Sequence, residues 1–243
     1  MSFAIKVFLS SIELSAMIVL SLTMFRFQFV YYLHKIYGIA LLMSIISFYF
    51  RDIVELGIFA VLASLSTKII LIMIMYRIPF FYSLLVSVIG FIAGVITESA
   101  VMLSGITLGL FDPSQIQQSV AVLGSIQLTT ALILSLIIYL LQRRKIGFLF
   151  KTKYLASRTA LKGYNFILSA FLVICIVLAQ IELISFYNHS MNIVSSIIIA
   201  LIFLIGIYVA YIHNKKIIRE TYERPVKDEL NRSLRSEHNK SNP

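Results

Sequence analysis

Residues 79–103 read PFFYSLLVSVIGFIAGVITESAVML and contain a single charged side chain, Glu98. A helix needs about 20 consecutive apolar residues to cross the hydrocarbon core of a bilayer. This run is long enough to do so with some tilt. The stretch therefore predicts a membrane-spanning helix.

Six more apolar runs of similar length lie on either side of this one. The seven predicted spans cover residues 4–25, 29–50, 53–76, 79–103, 119–141, 164–186 and 191–212. We therefore expect an all-α fold, a polytopic transmembrane helix bundle over residues 1–213. A very tight connection at Arg51–Asp52 separates the second and third spans, so a re-entrant hairpin with six spans or fewer is the alternative.

The composition excludes most soluble classes. Hydrophobic residues make up 59% of the 243 residues and charged residues 13%, whereas a soluble globular protein has about 25% charged residues. The 21 Lys and Arg against 11 Asp and Glu give a net charge of +10. Nucleic-acid binders spread such a surplus over a hydrophilic surface, so we expect no nucleic-acid partner.

Known catalytic and metal-binding patterns are absent from the sequence. It has no HExxH, no Gly-x-Ser-x-Gly and no Walker A motif, which argues against the corresponding enzymes. The single cysteine, Cys175, excludes a disulfide framework, and the four histidines lack ligand spacing. We therefore expect no enzymatic activity, no metal and no cofactor.

Basic residues concentrate in the loop over residues 142–163 and in the tail over residues 214–243. The positive-inside rule places both in the cytoplasm and, counting back through the spans, the N-terminus outside a cell membrane. Aromatic residues in the loop favour contact with anionic lipid headgroups; a topology determinant alone is the alternative. The residues predicted to make this contact are Arg143, Arg144, Lys145, Lys151 and Lys153. The tail predicts a short helix and then a disordered end.

Ionisable side chains inside the spans need a partner, a wet cavity or a function. In the predicted orientation, the carboxylates lie at or outside mid-depth, which favours an acidic cavity that opens outward and attracts a cation, a cationic peptide or protons. The ligand-binding residues of this hypothesis are Glu13, Glu98 and Glu182, with Gln127 and Gln180 as hydrogen-bonding neighbours. Alternatively, these carboxylates reach headgroup water or are protonated and bonded to neighbouring helices. Lys68 is expected to extend to the cytoplasmic headgroups or to pair across helices.

One face of the fourth span has small residues ending in a carboxylate. Ser83, Ser87, Gly90, Gly94 and Glu98 follow one another at intervals of four, three, four and four residues, which places them on one helical stripe. Small residues at this spacing let helices approach closely in lipid. We therefore predict that Ser83, Ser87, Gly90 and Gly94 pack against another helix and that Glu98 faces protein.

The exit from the last span, residues 208–224 (YVAYIHNKKIIRETYER), resembles the membrane sensor part of AgrC-like peptide-pheromone receptor kinases of Gram-positive bacteria. The resemblance covers roughly residues 1–224 and implies six or seven close-packed helices leading into a cytosolic helix. Those kinases continue with a phospho-accepting histidine and an ATP-binding domain, whereas this sequence stops at Pro243. The resemblance therefore implies a sensor module without a kinase.

Three functions remain open on the sequence. The first is a sensory or regulatory membrane module that binds a ligand from outside and acts on another membrane or cytosolic protein through the last span and the tail. The second is a transporter, or the membrane subunit of a permease, that uses the carboxylates as cation or proton sites. The third is a membrane scaffold whose Gly90–Gly94 stripe binds another chain.

Overall fold

The computed structural model describes residues 2–54, 57–112, 119–148 and 193–218. Within these ranges the fold is all-α, as predicted. The six α-helices are α1 (Ser2–Met24), α2 (Leu33–Phe48), α3 (Gly57–Tyr76), α4 (Phe80–Thr107), α5 (Val120–Arg143) and α6 (Ile193–Ile218). A 3-10 turn over Val30–Tyr32 precedes α2, and a π-helical turn over Tyr49–Ile53 follows it.

Four helical stretches in the described ranges are long and apolar enough to cross a membrane. These are Phe3–Met24, Val30–Ile53, Tyr82–Thr107 and Val120–Arg143. Two further apolar stretches are shorter, Ala60–Tyr76 in α3 and Ile197–Ile212 in α6. The predicted span over residues 164–186 lies outside the described residues, so the count of seven spans stays a prediction. The four long helices are compatible with a membrane protein.

The boundary predicted between the second and third spans differs from the structure. Arg51 and Asp52 were expected to form a tight connection, but both lie in the π-helical turn that continues α2 to Ile53. Arg51 Nε donates to Asp52 Oδ2 at 3.1 Å, and Lys6 Nζ donates to Asp52 Oδ1 at 3.2 Å. The helical backbone thus continues for another turn beyond α2, and the sequence pattern alone did not indicate this.

Helix α1 lies at the centre of the bundle. It packs most extensively against α5 and α2 and also against α4, while α3 packs against α2 and α4. Ile18, Leu20 and Leu22 of α1 are fully buried. By contrast, large apolar side chains such as Leu132 on α5 and Leu204 on α6 are more than half exposed. Apolar surface of this extent is unfavourable in water, whereas lipid would cover it.

Three helices end at a basic residue in the left-handed backbone conformation. Arg26, Arg77 and Lys145 follow α1, α3 and α5 with φ of 53°, 52° and 50°. Each end has the long backbone bond of a Schellman motif. These bonds run from Phe27 N to Leu22 O (2.9 Å), from Ile78 N to Met73 O (3.3 Å) and from Ile146 N to Leu141 O (3.0 Å). Glycine usually takes this position, whereas here a cation complements the negative end of the helix dipole.

The three cationic helix ends lie at one end of the bundle, which we call the basic end. Phe148 N, just after α5, donates to Met24 O at 2.6 Å. Tyr76, the last residue of α3, donates through its hydroxyl to Gln28 O at 3.1 Å, and its ring lies 4.9 Å from that of Phe27. The C-terminal ends of α1, α3 and α5 therefore meet.

Candidate functional site

The candidate site begins where α4 crosses α1 at two glycines. A Cβ atom added to Gly90 would overlap Ser21 Oγ, and one added to Gly94 would overlap the side chain of Met17. The absence of side chains at these positions lets the two helices approach closely. Since Gly90 meets Ser21 and Gly94 meets Met17, the two helices run in opposite directions.

This register places two carboxylates opposite each other. Four residues beyond Gly94 on α4 is Glu98, and four residues before Met17 on α1 is Glu13. Glu13 is 4% exposed, Glu98 is half-buried, and the two carboxyl groups interact electrostatically. Glu13 Oε1 is buried and has no hydrogen-bond partner in the described part of the chain. We call Glu13 and Glu98 the carboxylate pair.

Basic side chains lie near the carboxylate pair. Arg51 interacts electrostatically with both Glu13 and Glu98, while its Nε donates to Asp52, which also pairs with Lys6. These five side chains form what we call the Glu13 cluster. With all of them ionised, the cluster has two positive and three negative charges. The site is thus of mixed charge, whereas the sequence pattern predicted an acidic cavity.

A second polar layer surrounds Lys68, which is 2% exposed. Its Nζ donates to Ser21 Oγ of α1 at 3.0 Å and to the Ser87 carbonyl oxygen of α4 at 3.3 Å. No ion pair of Lys68 occurs within the described ranges. The expectation that Lys68 extends to the headgroups was wrong. Its contacts do cross helices, but to neutral oxygens.

The two layers lie along the same α1–α4 interface. Ser21 and Glu13 are eight positions apart on α1, which corresponds to about 12 Å along the helix axis. Sequence reasoning did not identify Ser21 as part of a site. The sequence feature that could have indicated it is its position, four residues after Met17 and eight after Glu13, which places all three side chains on one face of α1.

Gln127 lies on α5 and is buried. One turn earlier, a Cβ atom on Gly124 would overlap the side chain of Leu9. Since the other ends of α1 and α5 also meet, at Met24 and Phe148, the two helices run parallel. Gln127 therefore lies at about the depth of Glu13, roughly one helical turn from the Leu9 contact.

The stripe predicted on α4 is buried inside the chain. Ser83 Oγ donates to Ile69 O of α3 at 2.6 Å, the Ser87 carbonyl accepts from Lys68, and Gly90 and Gly94 contact α1. Ser87 Oγ is buried without a partner among the described residues. Because α1 and α3 of the same chain cover this stripe, it does not offer a free surface to a second chain.

The remaining predicted site residues divide into two groups. Arg143, Arg144 and Lys145 are exposed at the basic end. The others lie outside the described residues, namely Glu182, Gln180, Lys151 and Lys153. Within the described ranges, no three His, Cys, Asp or Glu side chains converge as a metal site.

No protein-family model matches the chain, and no curated protein or solved structure is significantly similar to it. The resemblance to AgrC-like sensor modules therefore stays a prediction.

Proposed function

We propose that the chain is a multi-pass, non-enzymatic protein of the cell membrane that senses a small cation at the Glu13 cluster. In this proposal the N-terminus lies outside and the C-terminus in the cytoplasm. The four membrane-length helices and the exposed apolar faces of α5 and α6 support the membrane assignment. The three cationic helix ends at one end of the bundle support the orientation.

The observation that carries this proposal is the carboxylate pair. Two carboxylates that face each other across a helix interface repel, and a cation or a proton between them relieves the repulsion. Glu13 Oε1 has an unused acceptor there. With all five groups ionised, one added positive charge neutralises the Glu13 cluster. The burial of Glu13 favours a small cation over the cationic peptide considered from the sequence.

A chain of contacts supports transmission from this site to the last helix. At the other end of α1, Phe25 stacks on Phe148 with ring centroids 5.3 Å apart. The ring of Phe148 also packs edge-on against that of Tyr211 on α6, with the ring centroids 6.4 Å apart. Helix α6 then continues to Ile218. A shift of α1 against α4 on cation binding would therefore reach the helix that leads into the tail, where we place the contact with a partner protein.

The test uses the purified full-length chain in detergent. The midpoint of thermal unfolding is followed by far-UV circular dichroism while sodium, potassium or ammonium chloride replaces N-methylglucamine chloride at constant ionic strength. A ligand at 100 times its Kd stabilises the folded state by about 2.7 kcal/mol. We expect one of the three cations to raise the midpoint of the natural sequence.

Glu13→Gln and Glu98→Gln should each abolish that rise, because each removes one negative charge without changing the side-chain shape. The matched control is Asp112→Asn, which removes a negative charge at an exposed position beyond α4 and should leave the rise intact. A rise that survives in both Gln variants would refute the proposal.

Transport of a cation or proton is the second candidate, and Lys68 favours it. Lys68 places a second buried charge about 12 Å from Glu13 along the α1–α4 interface. Charged residues at successive depths are typical of ion pathways. Reconstituted liposomes would distinguish the two functions. A transporter releases trapped sodium, potassium or protons at a rate that Glu13→Gln reduces, whereas a sensor binds the cation without flux.

A further inference from the structure

Two adjoining cavities at the basic end differ in chemical character. The first, of about 250 Å³, is lined by Thr23, Arg26, Phe27, Gln142 and Lys145 among others. The second, of about 300 Å³, is lined mostly by apolar side chains, including Met24, Phe148, Leu204, Ile207 and Tyr208. Leu141 and Ile146 line both cavities, so one elongated molecule can occupy the two together.

The first cavity is lined by two basic residues whose backbones are held at helix ends. Arg26 and Lys145 both have a left-handed backbone that ends a helix. Arg26 Nη2 donates to the carbonyl oxygen of Lys145, which holds the two residues beside each other. Neither forms an ion pair with a described acidic residue. Two cations in one cavity repel, and an anion with several acceptor oxygens would relieve this repulsion.

The second cavity extends away from those charges along α6. It runs from Tyr211 to Leu204, which are seven residues apart and therefore about 10 Å apart along the helix axis. Leu204 and Tyr208 are more than half exposed at its edge. An acyl chain would cover these apolar side chains, whose contact with water is unfavourable.

We propose that the two cavities together bind one anionic phospholipid from the leaflet at the basic end. Its phosphate lies between Arg26 and Lys145, and one acyl chain passes over Ile146 along α6 toward Leu204. Basic pockets between helices at a membrane surface suit such headgroups. The bound lipid joins the ends of α1, α5 and α6.

The test measures thermal unfolding of the full-length chain in detergent with added dioleoyl phosphatidylglycerol. Phosphatidylcholine with the same acyl chains and glycerol 3-phosphate without chains are the comparison ligands. We expect phosphatidylglycerol to raise the midpoint of the natural sequence, with much smaller effects of the other two. An equal rise with phosphatidylcholine would overturn the proposal, and a full rise with glycerol 3-phosphate would assign the site to a free anion instead.

Asparagine variants test the cations without disturbing the helix ends, because asparagine adopts the left-handed conformation readily. Arg26→Asn and Lys145→Asn should each require roughly tenfold more phosphatidylglycerol for the same rise, as expected for loss of a hydrogen bond to a charged group. Arg77→Asn is the matched control, because it removes a cation from the same kind of helix end outside both cavities. An equal loss in Arg77→Asn would refute a defined site.

The apolar half has its own variant, which remains informative if a cation variant does not fold. Leu204→Asn places a polar group in the acyl-chain cavity and should weaken the lipid response. Leu201→Asn, one turn away, exposed and outside both cavities, is the control. The proposal fails if these two variants respond to the lipid equally.

Discussion

Lys68 on α3 donates a 3.0 Å hydrogen bond to Ser21 on α1, at the position where Ser21 also fills the space beside Gly90 of α4. A buried ammonium group thus joins three helices. The close approach at Gly90 fixes where the Ser21 hydroxyl lies, and the Ser21 hydroxyl in turn fixes the end of the Lys68 side chain.

Gly90→Ala should destabilise the protein, because its Cβ would overlap Ser21 Oγ, a short side chain with little room to move. Overpacking of this kind costs about 1–3 kcal/mol. The free energy of unfolding in mixed detergent micelles measures the effect. Gly38→Ala is the matched control, since nothing lies within 4 Å of a Cβ at that position. Equal stability of the two variants would contradict the close approach of α1 and α4.

Lys68→Met should leave the stability unchanged or raise it by about 1–4 kcal/mol, because an apolar side chain of similar volume replaces a buried charge. The same unfolding measurement applies. Ser21→Ala, which leaves the ammonium group with one fewer acceptor, should destabilise the fold instead. A strongly destabilising effect of Lys68→Met would contradict this expectation.

Phe148→Ala should lower the stability by about 3 kcal/mol, since it removes a 3% exposed ring that contacts both Phe25 and Tyr211. Tyr139→Ala, at an exposed position on α5, is the control and should have little effect. Phe148→Leu should recover much of the loss. Because Phe148 joins α1 to α6, the Ala variant should also reduce any signal passed from the Glu13 cluster to the tail.

Asp52→Asn should have a small effect on stability, at most about 1 kcal/mol, because its ion pairs with Lys6 and Arg51 are partly exposed. The same substitution should clearly reduce the affinity of the proposed cation site. Removing one negative charge leaves the Glu13 cluster neutral when its other groups are ionised, so the cation should bind several-fold more weakly. If the variant and the natural sequence gave identical cation titrations, Asp52 would not contribute to cation binding.

The sequence was sufficient to predict the fold class and the approximate position of each described helix. It also singled out the face of α4 that carries Gly90 and Gly94, because small residues on one stripe are visible in any apolar helix. It did not indicate which helix lies against that face. Apolar helices resemble one another on all sides, so the shared face of Met17 and Ser21 on α1 did not by itself identify them as the contacts of Gly94 and Gly90.

The contact partners of each charged group could not be predicted from the sequence pattern. The ion pairs of Arg51 and Lys6 with Asp52 involve the π-helical turn, which has no clear sequence pattern. The same holds for Lys68, whose acceptors are a serine hydroxyl and a backbone carbonyl. A backbone oxygen is present at every position and therefore gives no signal in the sequence.

The left-handed residues at Arg26, Arg77 and Lys145 have a consequence for how the chain is inserted. Glycine at these three positions would preserve the backbone path but would remove every one of these positive charges. In the proposed orientation all three cations lie on the cytoplasmic side, and the reverse orientation would require each of them to cross the hydrocarbon core. The residues that shape these turns would thus also oppose insertion in the orientation opposite to the proposed one.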